Sequence, residues 1–305
     1  MAIFVVCLHG NFLKDISLTG SYLTVNGLFR IAVPTFLLIN GYFFFYATQD
    51  KTLKIWFLRI SYLYLIWMIV FSYYWFKPPI FSVGYFIKLL FNIFVGYHHL
   101  WYFPAIIGAA IVVLILDRNK LSYQISIIIL TFFIGLFVQY SGNYHIMSNL
   151  FLDKLFNYSW SYRNFLFFGF PYFYIGFLIN KYKIQKIITV KTSLSVFSAG
   201  LFLLFLESYA NYVNPTRDGG FSHYLSLLLV CPAIFMFVIN LNVTGNSRKI
   251  ALFSTSVYLI HPLFIHLSKD ILSFSETRTT LIAILLSLLS SFLLVRLKDR
   301  FNYII

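Results

Sequence analysis

The sequence predicts an all-α fold, a polytopic bundle of about ten membrane-spanning helices in a single domain over residues 1–305. Three observations lead to this prediction. Hydrophobic residues make up 60% of the chain and charged residues only 10%, whereas soluble domains contain about 45–50% and about 25%. The mean hydropathy is +0.82. Apolar runs of about twenty residues, the length that a spanning helix needs, recur along the chain, and no soluble domain is expected.

Each predicted span is an apolar run between charged or turn-forming residues. The runs cover residues 1–13, 22–48, 55–76, 100–116, 122–140, 164–180, 193–209, 224–241, 250–267 and 279–295. The segment 81–97 is apolar but short and contains Lys88, so we expect an interfacial or re-entrant helix there.

The first run is the shortest. Eight residues precede His9, and Lys14 and Asp15 soon follow it, so the run has about half of the ~20 residues that a span requires. Either the first helix is short, or the chain starts inside a longer natural protein and its first helix is truncated at the N-terminus.

The basic residues predict the orientation of the chain. If the N-terminus is cytoplasmic, the cytoplasmic loops and span ends hold thirteen Lys and Arg residues, and the outer ones hold eight. This bias follows the positive-inside rule. The net charge of +14 is therefore mainly a topology signal, and the sequence shows no soluble basic face for a nucleic acid.

The first two predicted spans each contain an ionisable side chain. His9 is in the first run, and Arg30 is in the second, within LFRIAVPTFLLINGYFFF. Such residues are costly in a bilayer unless they face a protein interior or a water-filled cavity, so both are functional candidates. Arg30 stays charged and needs an anion, a carbonyl cluster or water. The alternative is that Arg30 extends to the lipid headgroups.

Further candidates lie near the span ends. Arg59 begins the third span five residues after Lys54, and the two suit the phosphates of an anionic ligand, although a headgroup position explains Arg59 equally well. In YHHLWYFP, residues 97–104, an aromatic belt explains the Trp and Tyr residues. The adjacent histidines are less ordinary, which makes His99 a site candidate.

The late segment STSVYLIHPLFIHL, residues 254–267, gives another pair. Tyr258 and His261 are three residues apart and share a helix face, and Pro262 perturbs the turn that follows. Glu207, near the outer end of the seventh span, either orients a histidine or lies at the interface.

Together these residues favour group transfer. Histidine suits general-base chemistry near neutral pH, and the cationic groups suit an anionic acyl donor. A transporter or flippase of a lipid-linked sugar uses the same residue types, and a membrane scaffold for polysaccharide assembly is a third alternative. Because no HxxxH or HExxH spacing occurs, no metal site is expected.

These motifs resemble the integral-membrane acyltransferase-3 family, bacterial enzymes that O-acetylate surface polysaccharides and related acceptors. The resemblance extends over essentially the whole chain. It rests on six segments in the family's order, namely FVVCLHG (residues 4–10), FRIAVPTFLLINGYFF (29–44), LRISYLYLIW (58–67), HLWYF (99–103), RNFLFFGFPYFYIGFLI (163–179) and STSVYLIHPLF (254–264).

The resemblance implies acetyl-CoA as the cytoplasmic acyl donor, with no permanently bound cofactor. The implied acceptor is a sugar hydroxyl of a surface polysaccharide or of its lipid-linked precursor, such as an O-antigen or capsule intermediate, and the implied location is the bacterial inner membrane. His9 matches the family's essential first-helix histidine, which implies a general base. Arg30 and Arg59 match family arginines, and Lys54 assists Arg59 in anion binding. The other residues on or near the motifs are candidates that line the site: His99, Trp101, Tyr102, Arg163, Glu207, Tyr258 and His261.

The chain departs from the family pattern at three positions. The family has an arginine eleven residues before the histidine, which here falls three residues before Met1, so we expect the natural protein to begin about ten or more residues upstream. Trp56 replaces the first arginine of a third-helix pair, which leaves Arg59 as the main donor-phosphate ligand. Asn40 replaces the usual serine before Gly-Tyr.

Overall fold

The computed structural model of the protein is about 80% helical and describes residues 1–77, 82–241, 247–298 and 305. No β-strand occurs in these residues, and the predicted all-α class is confirmed. The α-helices are α1 Ala2–His9, α2 Leu18–Val25, α3 Ala32–Gln49, α4 Leu53–Val70, α5 Ser72–Trp75, α6 Val83–Val95, α7 Tyr102–Leu116, α8 Leu121–Asn143, α9 Leu150–Asn157, α10 Ser159–Tyr162, α11 Phe170–Lys181, α12 Val190–Val213, α13 Leu227–Ile239, α14 Ser247–His266 and α15 Glu276–Lys298.

Seven helical segments of the described residues are long and apolar enough to cross a membrane. They are Leu18–Gln49, Leu53–Val70, His98–Leu116, Leu121–Asn143, Val190–Val213, Arg248–Ile271 and Glu276–Lys298. The multi-pass membrane class is therefore confirmed, and the predicted count of ten is somewhat high.

The three predicted spans outside this count form shorter helical segments. The first is α1, with 8 residues; the second is the segment Phe165–Lys181, and the third is α13. With 13 residues, α13 is about 20 Å long, less than the ~30 Å hydrocarbon core. Arg300, one of the basic residues that predict the orientation, lies outside the described residues, and the orientation stays a prediction.

The segment predicted to be interfacial or re-entrant forms α6; Phe81 lies outside the described residues. The Tyr64 hydroxyl of α4 donates to the carbonyl of Ile93, in the last turn of α6, at 2.6 Å. Tyr64 is six residues from the end of α4, or about 9 Å along that helix. The end of α6 therefore lies well inside the length of a spanning helix, which favours the re-entrant alternative.

The chain divides into two compact units. The first unit comprises Met1–Phe36, Asn143–His145 and Lys183–Ile305, and in it α1 packs against α14 and α15. Gly10 at the end of α1 allows this close approach, because a Cβ there would lie 3.0 Å from the Cβ of Thr280. A cluster of small apolar side chains fills the contact, formed by Ala2, Val6, Val257 and Ala283.

The second unit comprises Leu37–Gly142 and Ile146–Tyr182, and aromatic residues dominate its interior. Its largest fully buried side chains include Phe44, Phe71, Phe132, Phe170, Tyr172, Phe173, Tyr174 and Phe177. Glycines bring α3 and α11 together: a Cβ on Gly41 would overlap the carbonyl of Phe173, and one on Gly176 would overlap a carbonyl of α3. Small residues at helix crossings are a common device of membrane bundles.

Candidate active site

His9 and His261 are neighbours in the first unit. His9 is the last residue of α1, and the centroid of its half-buried ring lies 5.2 Å from that of His261 on α14. His261 is fully buried, and the Tyr258 ring lies 6.0 Å from it on the same helix. The structure therefore brings together three of the predicted site residues.

Local backbone chemistry orients the His261 ring. Pro262 has no N–H, so the Tyr258 carbonyl, its partner four residues back in a regular helix, receives no bond from it. The Nδ1 of His261 lies 2.6 Å from that carbonyl oxygen. Since a carbonyl only accepts, Nδ1 carries a proton, and when the ring is neutral Nε2 is an acceptor.

Arg30 lies in a short 3₁₀ turn, Leu28–Ile31, that interrupts the second predicted span. Its Nη2 donates to the Asn26 side-chain oxygen at 2.6 Å, and its Nη1 donates to the Ser222 hydroxyl at 3.2 Å. Both of these partners are neutral side chains. The break in the helix gives this arginine polar neighbours inside the unit.

Asn26 and Ser222 are site residues that the sequence analysis missed. Ser222 belongs to the connection before α13, which is rich in turn-forming residues. In the structure Phe221, Ser222 and His223 are buried, and Gly220 is close enough to Asn26 that a Cβ would lie 2.7 Å from the Asn26 Cγ. The aromatic side chains of FSHY, residues 221–224, at the end of this polar loop were the signal in the sequence for a buried segment.

Glu207 holds the beginning of α13. Its carboxylate accepts from the backbone N–H of Leu225 at 2.8 Å and from that of Ser226 at 3.0 Å. It also accepts from the Ser226 hydroxyl at 2.7 Å. Backbone N–H groups at a helix start lack helical partners, and a carboxylate there also interacts favourably with the helix dipole. These bonds give Glu207 a structural role in the first unit.

The connection after α1 is tied to α15 near the membrane boundary. The Leu13 N–H donates to the Thr277 hydroxyl at 3.1 Å, and Asp15 accepts from the Thr277 hydroxyl and from its backbone N–H. The bonds to Asp15, and chiefly the one from the Thr277 hydroxyl, hold the pKa of the Asp15 carboxyl below its ordinary value. The contacts fix the chain just beyond His9.

The candidates in the second unit form separate contacts. The Arg163 guanidinium lies 5.1 Å from the centre of the Trp101 ring, in a cation–π arrangement. Asn40 donates to the Tyr102 hydroxyl at 2.8 Å, so the residue that replaces the family's usual serine contacts a site candidate. His99 is buried and meets the Phe71 ring edge to face, with centroids 4.9 Å apart.

Lys54 and Arg59 are exposed on α4. Five helical residues separate them by about 140° around the axis, so they lie on different faces of the helix. Between them Trp56 turns inward onto Phe44, with ring centroids 4.6 Å apart. The residue that replaces the family arginine is thus part of the aromatic packing of this unit. Among the described residues, no group of three or more His, Cys, Asp or Glu side chains could hold a metal ion.

Comparison with known proteins agrees with this architecture. The family model described as an acyltransferase domain, of the acyltransferase-3 family, matches residues 1–296. A protein from Enterococcus faecalis named amino-acid racemase is 27% identical over 295 residues. That match includes 88% of this chain and 40% of the relative, so the chain spans less than half of the relative's length. No solved structure matches the chain. Since the family model covers nearly its whole length, this multi-pass membrane protein belongs to the acyltransferase-3 family.

Proposed function

We propose that the protein is a membrane-bound O-acetyltransferase. It moves an acetyl group from cytoplasmic acetyl-CoA to a sugar hydroxyl of a cell-surface polysaccharide or of its lipid-linked precursor. The observation that carries the proposal is the histidine pair of the first unit, in which His9 lies beside the oriented ring of His261. The family supplies acyl transfer, and the pair supplies the proton acceptor that such a transfer to a hydroxyl requires.

His9 is the general base of the proposed reaction. Its imidazole takes the proton of the sugar hydroxyl as the oxygen attacks the thioester carbonyl. The C–S bond then breaks, and the coenzyme A thiolate leaves and takes up the proton from the imidazolium. His261 and Tyr258 line the space beside this base, and the half-buried position of His9 leaves it accessible to a substrate.

The cationic candidates bind the donor and its developing charge. Lys54 and Arg59 are exposed, so they are accessible to the phosphates of coenzyme A, for which ammonium and guanidinium groups are suited. Arg30, a guanidinium inside the bundle, is suited to an anionic group of a substrate or to the oxyanion that forms at the carbonyl.

Aromatic and polar candidates on the family motifs are suited to the acceptor. Trp101 with Arg163, and Tyr102 with Asn40, combine ring faces with hydrogen-bonding groups. Such a combination suits a sugar ring, which has apolar C–H faces and polar edges. The proposed location is the bacterial inner membrane with a cytoplasmic N-terminus, where the donor and a lipid-linked acceptor are both available.

A second candidate function is amino-acid racemisation, because the Enterococcus faecalis relative carries that name. More than half of that relative lies outside the match, whereas the acyltransferase model covers residues 1–296 of this chain. We therefore rank acyl transfer first. Incubating the purified protein with single L- and D-amino acids and measuring their enantiomeric ratio tests the second candidate directly.

The experiment for the first candidate compares acetate in the surface polysaccharide of a deletion strain complemented with wild type, His9→Ala or His266→Ala. His266, which contacts Asp270 on its own helix at 2.7 Å, is the matched control histidine. We expect acetylation with wild type and His266→Ala and none with His9→Ala at equal membrane expression. Equal acetate in the deletion and wild-type strains would overturn the proposed function and favour the flippase alternative.

A further inference from the structure

A groove on the second unit lies outside the contacts of the candidate active site. It has a volume of about 410 Å³, within the ~300–1,000 Å³ range of ligand sites. Its walls come from α4, α5, the residue after α5 and the last turn of α6. The lining residues are Tyr64, Leu65, Met68, Ile69, Ser72, Trp75, Phe76 and Ile93.

The chemistry of the groove suits a hydrocarbon chain. Its two aromatic residues with polar groups use them within the protein: the Tyr64 hydroxyl donates to the Ile93 carbonyl at 2.6 Å, and the Trp75 Nε1–H donates to the Met68 carbonyl at 3.0 Å. The remaining surface is aliphatic or aromatic, apart from Ser72. An apolar ligand therefore displaces little bound water and leaves few polar groups unsatisfied.

The groove opens toward the bilayer. Leu65, Ile69 and Phe76 line it and are each more than half exposed. Leu65 and Ile69 lie on a helix that is long and apolar enough to span the membrane. A chain can therefore enter sideways from the lipid. The volume of about 410 Å³ suits a stretch of one hydrocarbon chain.

Basic side chains flank one end of this groove. Lys77 follows Phe76 directly, and the Tyr85 hydroxyl of α6 donates to the Lys77 carbonyl at 2.5 Å. Lys88 lies three residues after Tyr85 and therefore on the same face of α6, and both lysines are exposed. Lysine together with Trp75 and Tyr85 is the composition of a membrane boundary, and ammonium groups there suit a lipid phosphate.

We propose that the groove binds the hydrocarbon chain of a lipid-linked sugar phosphate, and that Lys77 and Lys88 hold its phosphate. The proposal rests on the proposed function, because it makes this lipid the acceptor of the acetyl group. One chain in the groove and a phosphate at the boundary fix the point from which the sugar extends. Affinity for the acceptor then depends on the lipid as well as on the sugar.

The test compares two acceptors that carry the same glycan: the polyprenyl-phosphate-linked form extracted from host membranes, and the free glycan released from it by mild acid. Acetyl transfer from radiolabelled acetyl-CoA is measured with the protein in nanodiscs. Leu65→Trp fills the groove from its half-exposed wall. Val70→Trp, at a half-exposed position of α4 outside the groove, is the control for a bulky residue on the lipid face.

We expect Leu65→Trp to raise the KM for the lipid-linked acceptor about tenfold, as the loss of a few buried methylene contacts would do, and to leave transfer to the free glycan unchanged. Val70→Trp should resemble wild type with both acceptors. The double variant K77Q/K88Q should also weaken only the lipid-linked acceptor, whereas Lys154→Gln, another exposed lysine of the same unit, should not.

Two outcomes have different meanings. If Leu65→Trp changes transfer to both acceptors equally or to neither, the groove does not bind the acceptor chain, and the proposal is overturned in favour of an ordinary membrane lipid. If wild type acetylates neither acceptor, the proposed function itself has failed. Transfer by wild type to the two acceptors therefore distinguishes a failure of the groove proposal from a failure of the proposed function.

Discussion

Replacing Asn26 tests whether the charge of Arg30 is used in the reaction. Asn26 accepts from Nη2 at 2.6 Å, and Ser222 accepts from Nη1 at 3.2 Å. Removing a hydrogen bond to a charged group costs about 1.5–3 kcal/mol. Asn26→Ala leaves the Arg30 guanidinium less well positioned. We therefore expect it to raise the activation free energy of transfer by about 2 kcal/mol, which lowers the transfer rate by a factor of about 30. The longer bond from Ser222 is worth less, and Ser222→Ala should cost about fivefold, near 1 kcal/mol.

Asn26→Asp separates the position of the guanidinium from its charge. A carboxylate at this site keeps the acceptor oxygen and adds an ion pair, so the folded protein should be at least as stable as wild type. The carboxylate also places a negative charge beside Arg30, so binding of an anion or of a developing oxyanion should weaken. We expect transfer by Asn26→Asp to fall to the level of Arg30→Gln while its unfolding temperature in detergent is unchanged or higher.

The assay follows acetyl transfer and thermal unfolding on the same preparations of Asn26→Ala, Asn26→Asp, Ser222→Ala and Arg30→Gln. Because Asn26 and Ser222 share one partner, their double variant should cost less than the sum of the single changes. Wild-type transfer by Asn26→Asp would refute the reasoning, since a negative charge added beside Arg30 would then have no effect on the reaction. A loss of transfer that only parallels the loss of stability would assign Arg30 to the fold alone.

Two further predictions concern stability. Gly41→Ala should lower the unfolding temperature by several degrees, because its Cβ would overlap the Phe173 carbonyl and overpacking costs about 1–3 kcal/mol. Gly84→Ala, with open space around it, should leave the unfolding temperature unchanged. Equal melting curves for the two variants would show that the helices separate at no cost. The lowered pKa of Asp15 means that its contribution is present above the unfolded pKa of about 3.9 and is lost as the pH falls through the folded pKa. The difference in unfolding temperature between wild type and Asp15→Asn should therefore be full near pH 7 and vanish in strong acid, and a difference that grows with acidification would contradict the assigned bonds with Thr277.

The parts of the fold that follow local rules could be predicted from the sequence. Apolar runs located α4, α7, α8, α12, α14 and α15, because the length of a bilayer sets the length of a run. The count of ten was too high because apolar composition does not report where a helix ends; α13 has the composition of a span but only 13 residues. The break at Gly27 also escaped prediction, since a 3₁₀ turn between two apolar helices has little signature.

The candidate site divides in the same way. His9, Tyr258 and His261 come from helix periodicity and known motif order, and the structure brings them together. Asn26 and Ser222 lie 196 positions apart in the chain, and only the tertiary path of the loop before α13 places them on Arg30. Glu207 needed the structure too, because an acid near a span end looks the same in the sequence whether it holds a helix start or a histidine.

Pro262 removes a backbone hydrogen bond, and the structure uses the freed carbonyl to orient the His261 ring. In a helix interior proline removes a hydrogen bond and costs about 3 kcal/mol, and in a bilayer the freed carbonyl of Tyr258 must find another donor. His261 supplies it through Nδ1, which compensates the backbone and fixes the tautomer of the ring in one contact. The ring next to His9 therefore has its acceptor nitrogen chosen by the backbone. A histidine whose tautomer is fixed in this way is suited to accept a hydrogen bond at its other nitrogen. An imidazole base in an apolar surrounding needs such an acceptor beside it for its own N–H.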